Sequence, residues 1–494
     1  MKTLRTILGI VAFGFSIVLA QEQPSFVNFN HLDHLTETIQ FYGDTVSIVH
    51  IYSNYPDYHW VDAKESGPEG IACVDDAARA AVVYLRHYEL TKNESSLAKA
   101  KSLLRFVIKM QTDDGDFYNF ILADHTINRD GKTSFKSFGW WAARGVWSMS
   151  LGYRIFSTSR LRPDGSIDLD ESSRRPWGVV DKEIDSQFAD LLKHRIALSI
   201  PHVEMLMKKY GEVRTAGQLR IPQWLLYDSG ADVTSELLLG LTEYYRATDD
   251  ERVRVLIKKL SDGLMVMQDG NAAAFPHGLH RSWETMWHMW GNGQTQALAY
   301  AGKICNDTAM IRSAEMEAQD FYSRLLIQGF AKELDVANPE MKSEYEQIAY
   351  AVRPMAVGLI RLYEATRNLL YLKMAGLTAS WFFGNNILQQ SMFDADNGRC
   401  FDGITDSHTI NKNSGAESTI EALHTFVELE QYPAANKYVK YRKGAVGSHA
   451  EFLYAAFHNN AGEELTLALD TKRAVVLLLE GKESKEFQER IKDR

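Results

Sequence analysis

Tyr88-Glu-Leu-Thr91, Tyr245-Arg-Ala-Thr248 and Tyr363-Glu-Ala-Thr366 are three copies of one short signal, and their surroundings decide the fold. Each closes an apolar stretch of helical period and opens a turn into another. Before the first copy, Ala77, Ala80, Val83, Tyr84 and Tyr88 share one face. After it, Leu97, Ala100, Leu103, Leu104 and Ile108 repeat the pattern. The second copy sits between Leu237-Leu238-Leu241-Tyr244-Tyr245 and Val253-Leu256-Ile257-Leu260, and the third between Ala356-Leu359-Ile360-Tyr363 and Leu370-Met374-Leu377. Copies one and two align without gaps at an offset of 157 residues, so that Met110-Gln111 recurs as Met267-Gln268, and copy three follows 118 residues later. Repeated helical hairpins stack into an open solenoid or close into a ring. The uneven spacing of these copies favours closure.

Working outward, Gly139 to Phe156, Val179 to Tyr210 and Gly293 to Phe330 supply further helical segments, which predicts roughly eleven or twelve helices. Two regions leave this pattern. Thr45 to Tyr52 alternates as a strand before the aromatic loop from Tyr55 to Trp60. Thr466 to Leu479 reads as a strand or hairpin, with a charged, frayed end after it. At the other end, Lys2 and Arg5 precede an apolar run from Ile7 to Leu19 and the small-residue site around Ala20, the pattern of a secretory signal peptide. The expected organisation is therefore a signal peptide over 1–20, an N-terminal extension over 21–70, a helical toroid over 71–435 and a C-terminal extension over 436–494. A periplasmic or secreted location follows from that reading.

Composition removes several classes of function. A net charge of −10 without a basic stripe argues against nucleic acid and anionic membrane as partners. Cys73, Cys305 and Cys400 are too few for a disulfide framework and lack zinc spacing. His277, His280 and His288 fall outside any HExxH pattern, so no metal is expected. With no Walker loop and no GxGxxG, no cofactor is expected either.

The chain resembles the six-hairpin glycosidase superfamily, the (α/α)6 toroids. The resemblance rests on Val74-Asp75-Asp76-Ala77-Ala78-Arg79-Ala80, on Trp381-Phe-Phe-Gly384-Asn385-Asn386, on Gly398-Arg-Cys-Phe-Asp402-Gly403 and on Asn411 to Thr419, where Ser414 replaces the usual Gln. It implies an all-α (α/α)6 toroid with short β appendages at the two ends, acting on an oligo- or polysaccharide.

Glycosidic cleavage usually takes two carboxylates about 5–9 Å apart, one protonated and one ionised. Glu417, in the first turn of a helix that Ser414 could cap, and Asp76, projecting beside a capping Asp75, are the expected pair. Asp402 and Glu284 are alternates. Sugar rings stack on flat side chains. Trp140, Trp141 and Arg144, together with Trp283, Trp287 and His288, are therefore the expected substrate contacts, with Arg353 and Asn413 beside them. A polysaccharide lyase or sugar epimerase on the same scaffold would use a Tyr or His base, with Tyr52, His59, Arg144 and Arg353 available. A glycan-binding protein without catalysis would keep only the aromatics.

Overall fold

The computed structural model describes residues 25–64, 67, 69–158 and 182–492. The signal-peptide reading over 1–20 and the first residues of the segment from Val179 lie outside them. Helices dominate, with small sheets at the ends and between hairpins. In chain order the helices are α1 (Asn30–Leu35), α2 (Val74–Thr91), α3 (Glu94–Met110), α4 (Trp140–Thr158), α5 (Lys182–Leu206), α6 (Ala231–Thr248) and α7 (Glu251–Val266). They continue with α8 (Gln294–Cys305), α9 (Thr308–Met316), α10 (Ser323–Gln328), α11 (Ala349–Thr366), α12 (Leu369–Ala379), α13 (Ala416–Glu430), α14 (Pro433–Asn436) and α15 (Lys482–Lys492).

The repeated tetrapeptide is a turn between paired helices. In all three copies the chain leaves the first helix through a left-handed residue, Lys92, Asp249 or Arg367. Its N–H returns to the carbonyl of Tyr88, Tyr245 or Tyr363. The Thr hydroxyl donates to the carbonyl four residues back, at 2.7 Å, 2.8 Å and 2.7 Å. Asn93, Asp250 or Asn368 then caps the partner helix.

Packing closes the ring. Helix α2 packs on α4, α4 on α6, α6 on α8, α8 on α11, α11 on α13, and α13 returns to α2. Helices α3, α5, α7, α9 and α12 back this inner layer. Small residues allow the close approach: a Cβ on Gly240 of α6 would lie 2.8 Å from the backbone N of Trp147 in α4. The first turns of α2, α4, α6, α11 and α13 line the same mouth, so these helices run the same way around the lumen. This arrangement is consistent with the (α/α)6 toroid expected from the sequence.

The lumen is filled by charge rather than by an apolar plug. One turn below the mouth, Arg353 donates to Glu421 at 2.5 Å and to Gln296 at 2.7 Å, and lies 3.4 Å from Glu236. Deeper, Arg154 pairs with Glu243 at 2.6 Å and with Glu89 at 2.7 Å, while Arg361 pairs with Glu428. Buried charges persist only when paired in this way. Together the layers make the mouth a blind cavity.

Both ends differ from the sequence reading. The strand Asp44–Val49 pairs antiparallel with Thr36–Phe41, and the hairpin lies on α3. At the C-terminal end the reading of one strand or hairpin gives way to four antiparallel strands. These are Arg442–His449, Phe452–His458, Glu464–Asp470 and Val475–Glu480, paired in that order. The charged end is the amphipathic helix α15 packed on the last two strands. Phe487 sets its ring edge-on to Phe452 and Tyr454. Among the described residues, no helix is long and apolar enough to cross a membrane.

Candidate active site

Helix α2 is capped by Cys73, not by Asp75. The Cys73 Sγ accepts from the Asp76 N–H at 3.4 Å and lies 3.3 Å from Asp76 Oδ2. Asp75 is left free to face the mouth. It accepts from Asn119 at 3.1 Å and lies 2.9 Å from Arg144 Nη1. Asp76 points inward to Arg79, with 2.7 Å between Oδ1 and Nη2. Sequence alone assigned the cap to Asp75, because a thiol is an uncommon N-cap.

Helix α13 corrects a second expectation. Its N-cap is Gly415 without a capping side chain. Asp402 does the capping from outside: its Oδ1 accepts from the Gly415 N–H at 2.8 Å and from the Ser418 hydroxyl at 2.6 Å. Ser414 faces Thr419 instead. Glu417 therefore satisfies no backbone donor, and its carboxylate, nearly half exposed, reaches Arg79 Nη1 at 2.9 Å.

Arg79 is the hub. It also donates to Glu421 at 3.1 Å and to the Asp75 carbonyl at 3.2 Å, and it lies over the Tyr350 ring at 5.0 Å. Asp76 and Glu417 occupy the two terminal nitrogens of one guanidinium, so their oxygens are no more than about 8 Å apart. Burial pushes the Asp76 carboxyl up to about 6; Arg79 opposes that, and Glu417 and Asp75 reinforce it. The result is one buried carboxyl that takes a proton near neutral pH beside one half-exposed carboxylate.

The mouth holds two cavities. The larger, about 790 Å³, is lined by Asp75, Asp76, Glu417, Asp402, Trp141 and Tyr52 among others. The second, about 490 Å³, is lined by Tyr227, Asp232, Trp283, His288 and Trp290. Trp140, Arg144 and Tyr350 border both. Arg144 stacks over Trp140 at 4.9 Å, and it donates to the Tyr350 hydroxyl. A third recess, around Asn413 and Asn411, adjoins the larger cavity at Tyr52 and Asp402.

Two expected substrate contacts, Trp287 and Arg353, and the alternate carboxylate Glu284 fall elsewhere. Trp287 is fully buried, edge-on to Phe321, because it sits on the inward side of a short strand. Arg353 is fully buried in the charged layer below the mouth. Neither lines a mouth cavity. Glu284 lies outside both cavities as well, paired with Arg214 and accepting from Ser229 at 3.0 Å. His280 is buried between Glu317 and Ser313, at 2.8 Å and 2.9 Å.

The sequence reading passed over Tyr350 and Asp232. A positional signal exists for them: Asp75, Trp141, Asp232, Tyr350 and Glu417 are each the second residue of an inner helix. That register becomes readable only once the inner helix starts are known.

Because Asp402 positions the start of α13, Asp402→Ala is expected to lower stability by about 1 kcal/mol, the worth of a lost cap. Asp402→Asn should lose less and keep turnover. A thermal melt beside an activity assay checks both, and abolished turnover in the Asn variant would make Asp402 catalytic.

The chain shares its fold with two solved carbohydrate-active enzymes. Cellobiose 2-epimerase from Bacillus thermoamylovorans B4167 matches at TM-score 0.52 and 13% identity, over 81% of this chain and 96% of that one. A sugar epimerase from a ruminal bacterium matches at TM-score 0.51 and 12% identity, over 81% and 95%. At these identities the likeness is one of fold alone. No family model matches the chain, and no curated protein does.

Proposed function

We propose that the ring mouth is the active site of an exported carbohydrate-active enzyme, a glycoside hydrolase in which Asp76 and Glu417 form the acid–base pair. One observation carries the reading: carboxylates from the first turns of α2 and α13 meet on one guanidinium in the wall of one aromatic-edged cavity. The two carboxyls sit in different environments, one buried and one nearly half exposed. Asp76, buried and raised, suits the proton donor to the leaving oxygen. Glu417, exposed and ion-paired, suits the ionised partner. Trp140, partly exposed where the two cavities meet, offers aromatic surface to a sugar ring. Fold alone does not choose a reaction.

Incubating the protein with a panel of glycans tests this directly. New reducing ends without new ultraviolet absorbance are expected. Intact glycans across the panel would sink the reading.

Asp76 works as an acid only while protonated. As pH rises through about 6 it loses that proton, so kcat/KM is expected to fall above this value. A pH–rate profile flat to pH 9 would exclude Asp76 as the donor.

A second reading, proton transfer at a sugar carbon, is favoured by His288. Its Nε2 lies 3.0 Å from Asp232 Oδ2, its Nδ1 has no partner, and it lines the aromatic cavity. Deuterium in a recovered sugar after reaction in D2O, without new reducing ends, would establish it.

A further inference from the structure

We infer that the two mouth cavities form one binding cleft for an uncharged oligosaccharide, with one sugar at the carboxylate pair and the next in the aromatic cavity against His288. The inference rests on the carbohydrate reading of the mouth and adds to it the charge class of the substrate and a second subsite.

The charge class follows from the lining. Glu69, Asp75, Asp76, Glu346, Asp402 and Glu417 face the larger cavity against two guanidiniums, Arg79 and Arg144. Both guanidiniums are already held: Arg79 by three carboxylates, Arg144 by Asp75 and the Tyr350 hydroxyl. The inner helix N-termini also bring positive poles to this mouth. At α2, α6 and α13 those poles are met by the first-turn carboxylates Asp75, Asp76, Asp232 and Glu417, whereas α4 and α11 carry no acid there. Among the described residues that line the two cavities, no Lys or Arg is left over to neutralise a uronate or a sulfate, and an added anion would meet uncompensated negative charge in a partly closed, low-dielectric cavity. Hydroxyl groups meet no such penalty and can donate to the carboxylates.

The second subsite follows from the adjacency of the two cavities and from the aromatic lining of the smaller one. Trp140, Arg144 and Tyr350 form the wall common to both cavities, so the two lie side by side and a chain that occupied both would cross that shared rim. In the smaller cavity Trp283 and Trp290 flank the His288 ring, each with 4.4 Å between centroids. His288 is 1% exposed, fixed through Nε2 by Asp232, and unpartnered at Nδ1. The imidazole is thus a fixed, almost fully covered part of the cavity wall, and the aromatic surface beside it is what the cavity offers to a ligand. Two indoles around one imidazole, with Tyr227 at the edge, suit a pyranose with apolar faces and polar rim.

An immobilised glycan array carrying neutral gluco-, manno-, galacto- and xylo-oligosaccharides, oligouronates and sulfated glycans tests both parts. Probed with Glu417→Gln, so that bound chains persist, the array should show signal on uncharged chains of two or more sugars. Trp290→Ala and, independently, Trp283→Ala added to that background should weaken the signal on those chains by at least tenfold. Their effect on single-sugar glycosides should be within twofold, and circular dichroism shows whether either variant has lost its fold. Preferential binding of oligouronates or sulfated glycans overturns the charge class, and so does an array without any signal. Full retention of chain binding in both folded tryptophan variants overturns the subsite. The hydrolase reading fails separately, when neutral chains bind and the wild type releases no reducing ends.

Discussion

Glu417→Gln is expected to lower turnover on the cleaved glycan by about 10²–10⁴, the range for removal of one positioned acid–base group, while leaving the fold in place. The fold is spared because Glu417 is nearly half exposed and its single ion pair with Arg79 is a partly solvated one, of a kind worth about 1 kcal/mol or less. Arg79 keeps its bonds to Asp76 and Glu421 in the variant. A second readout separates catalysis from packing. The Glu417 charge is one of the groups that raises the Asp76 carboxyl. Neutralising it lets Asp76 release its proton at lower pH, so the residual activity should begin to fall at a more acidic value than in the wild type. Asp76→Asn should match the loss of rate and erase that limb. Full turnover in both variants would remove the catalytic pair from the mechanism. A lost rate with an unmoved limb would assign Glu417 a role independent of Asp76.

The fold was legible because helical hairpins write themselves locally. Tyr88, Tyr245 and Tyr363 each accept the N–H that ends a helix, and Asn93, Asp250 and Asn368 each start the next. That chemistry spans only a few residues, so it survives as a readable tetrapeptide. The ends were read less well. Thr36–Phe41 alternates in burial only over its last four residues, and Arg442–His449 is largely exposed, so neither advertises a sheet. The sequence placed Glu417, Asp76, Trp140 and Arg144 at helix starts, and the ring brings them to one mouth. What it could not place were residues whose role depends on which way a helix faces. Trp287 and His288 are adjacent, yet one turns into the core and the other lines a cavity. Arg144 and Arg353 occupy equivalent fifth positions of their helices, yet only Arg144 reaches the mouth.

Arg79→Ala is expected to cost about 3–5 kcal/mol of stability at pH 7.5, the loss that follows when one partner of a buried ion pair is removed and the other stays behind. Two carboxylates are stranded by the change. Asp76 and Glu421 are both buried, and Arg79 is an ion-pair partner of each. They respond differently. Burial pushes Glu421 up, but Arg353 and Arg79 more than offset it, and Arg353 remains at 2.5 Å in the variant. Asp76 has no second guanidinium in contact, so its carboxyl climbs further above its value of about 6 in the native protein. An acid whose pKa is higher folded than unfolded holds an extra proton in the folded state between the two values. Stability therefore falls as pH rises through the folded value and is retained below the unfolded one. The loss in Arg79→Ala should accordingly be larger at pH 8 than at pH 5, measured as the difference in urea midpoint from wild type at each pH. Adding Asp76→Asn to Arg79→Ala removes the stranded charge and should recover stability at pH 8 but little at pH 5. Arg79→Lys keeps one charge without the planar fork that spans Asp76, Glu417 and Glu421, and should recover only part of the loss. An equal loss at both pH values, unaltered by Asp76→Asn, would mean that Arg79 stabilises the ring by its packing against Tyr350 rather than by holding the carboxylates.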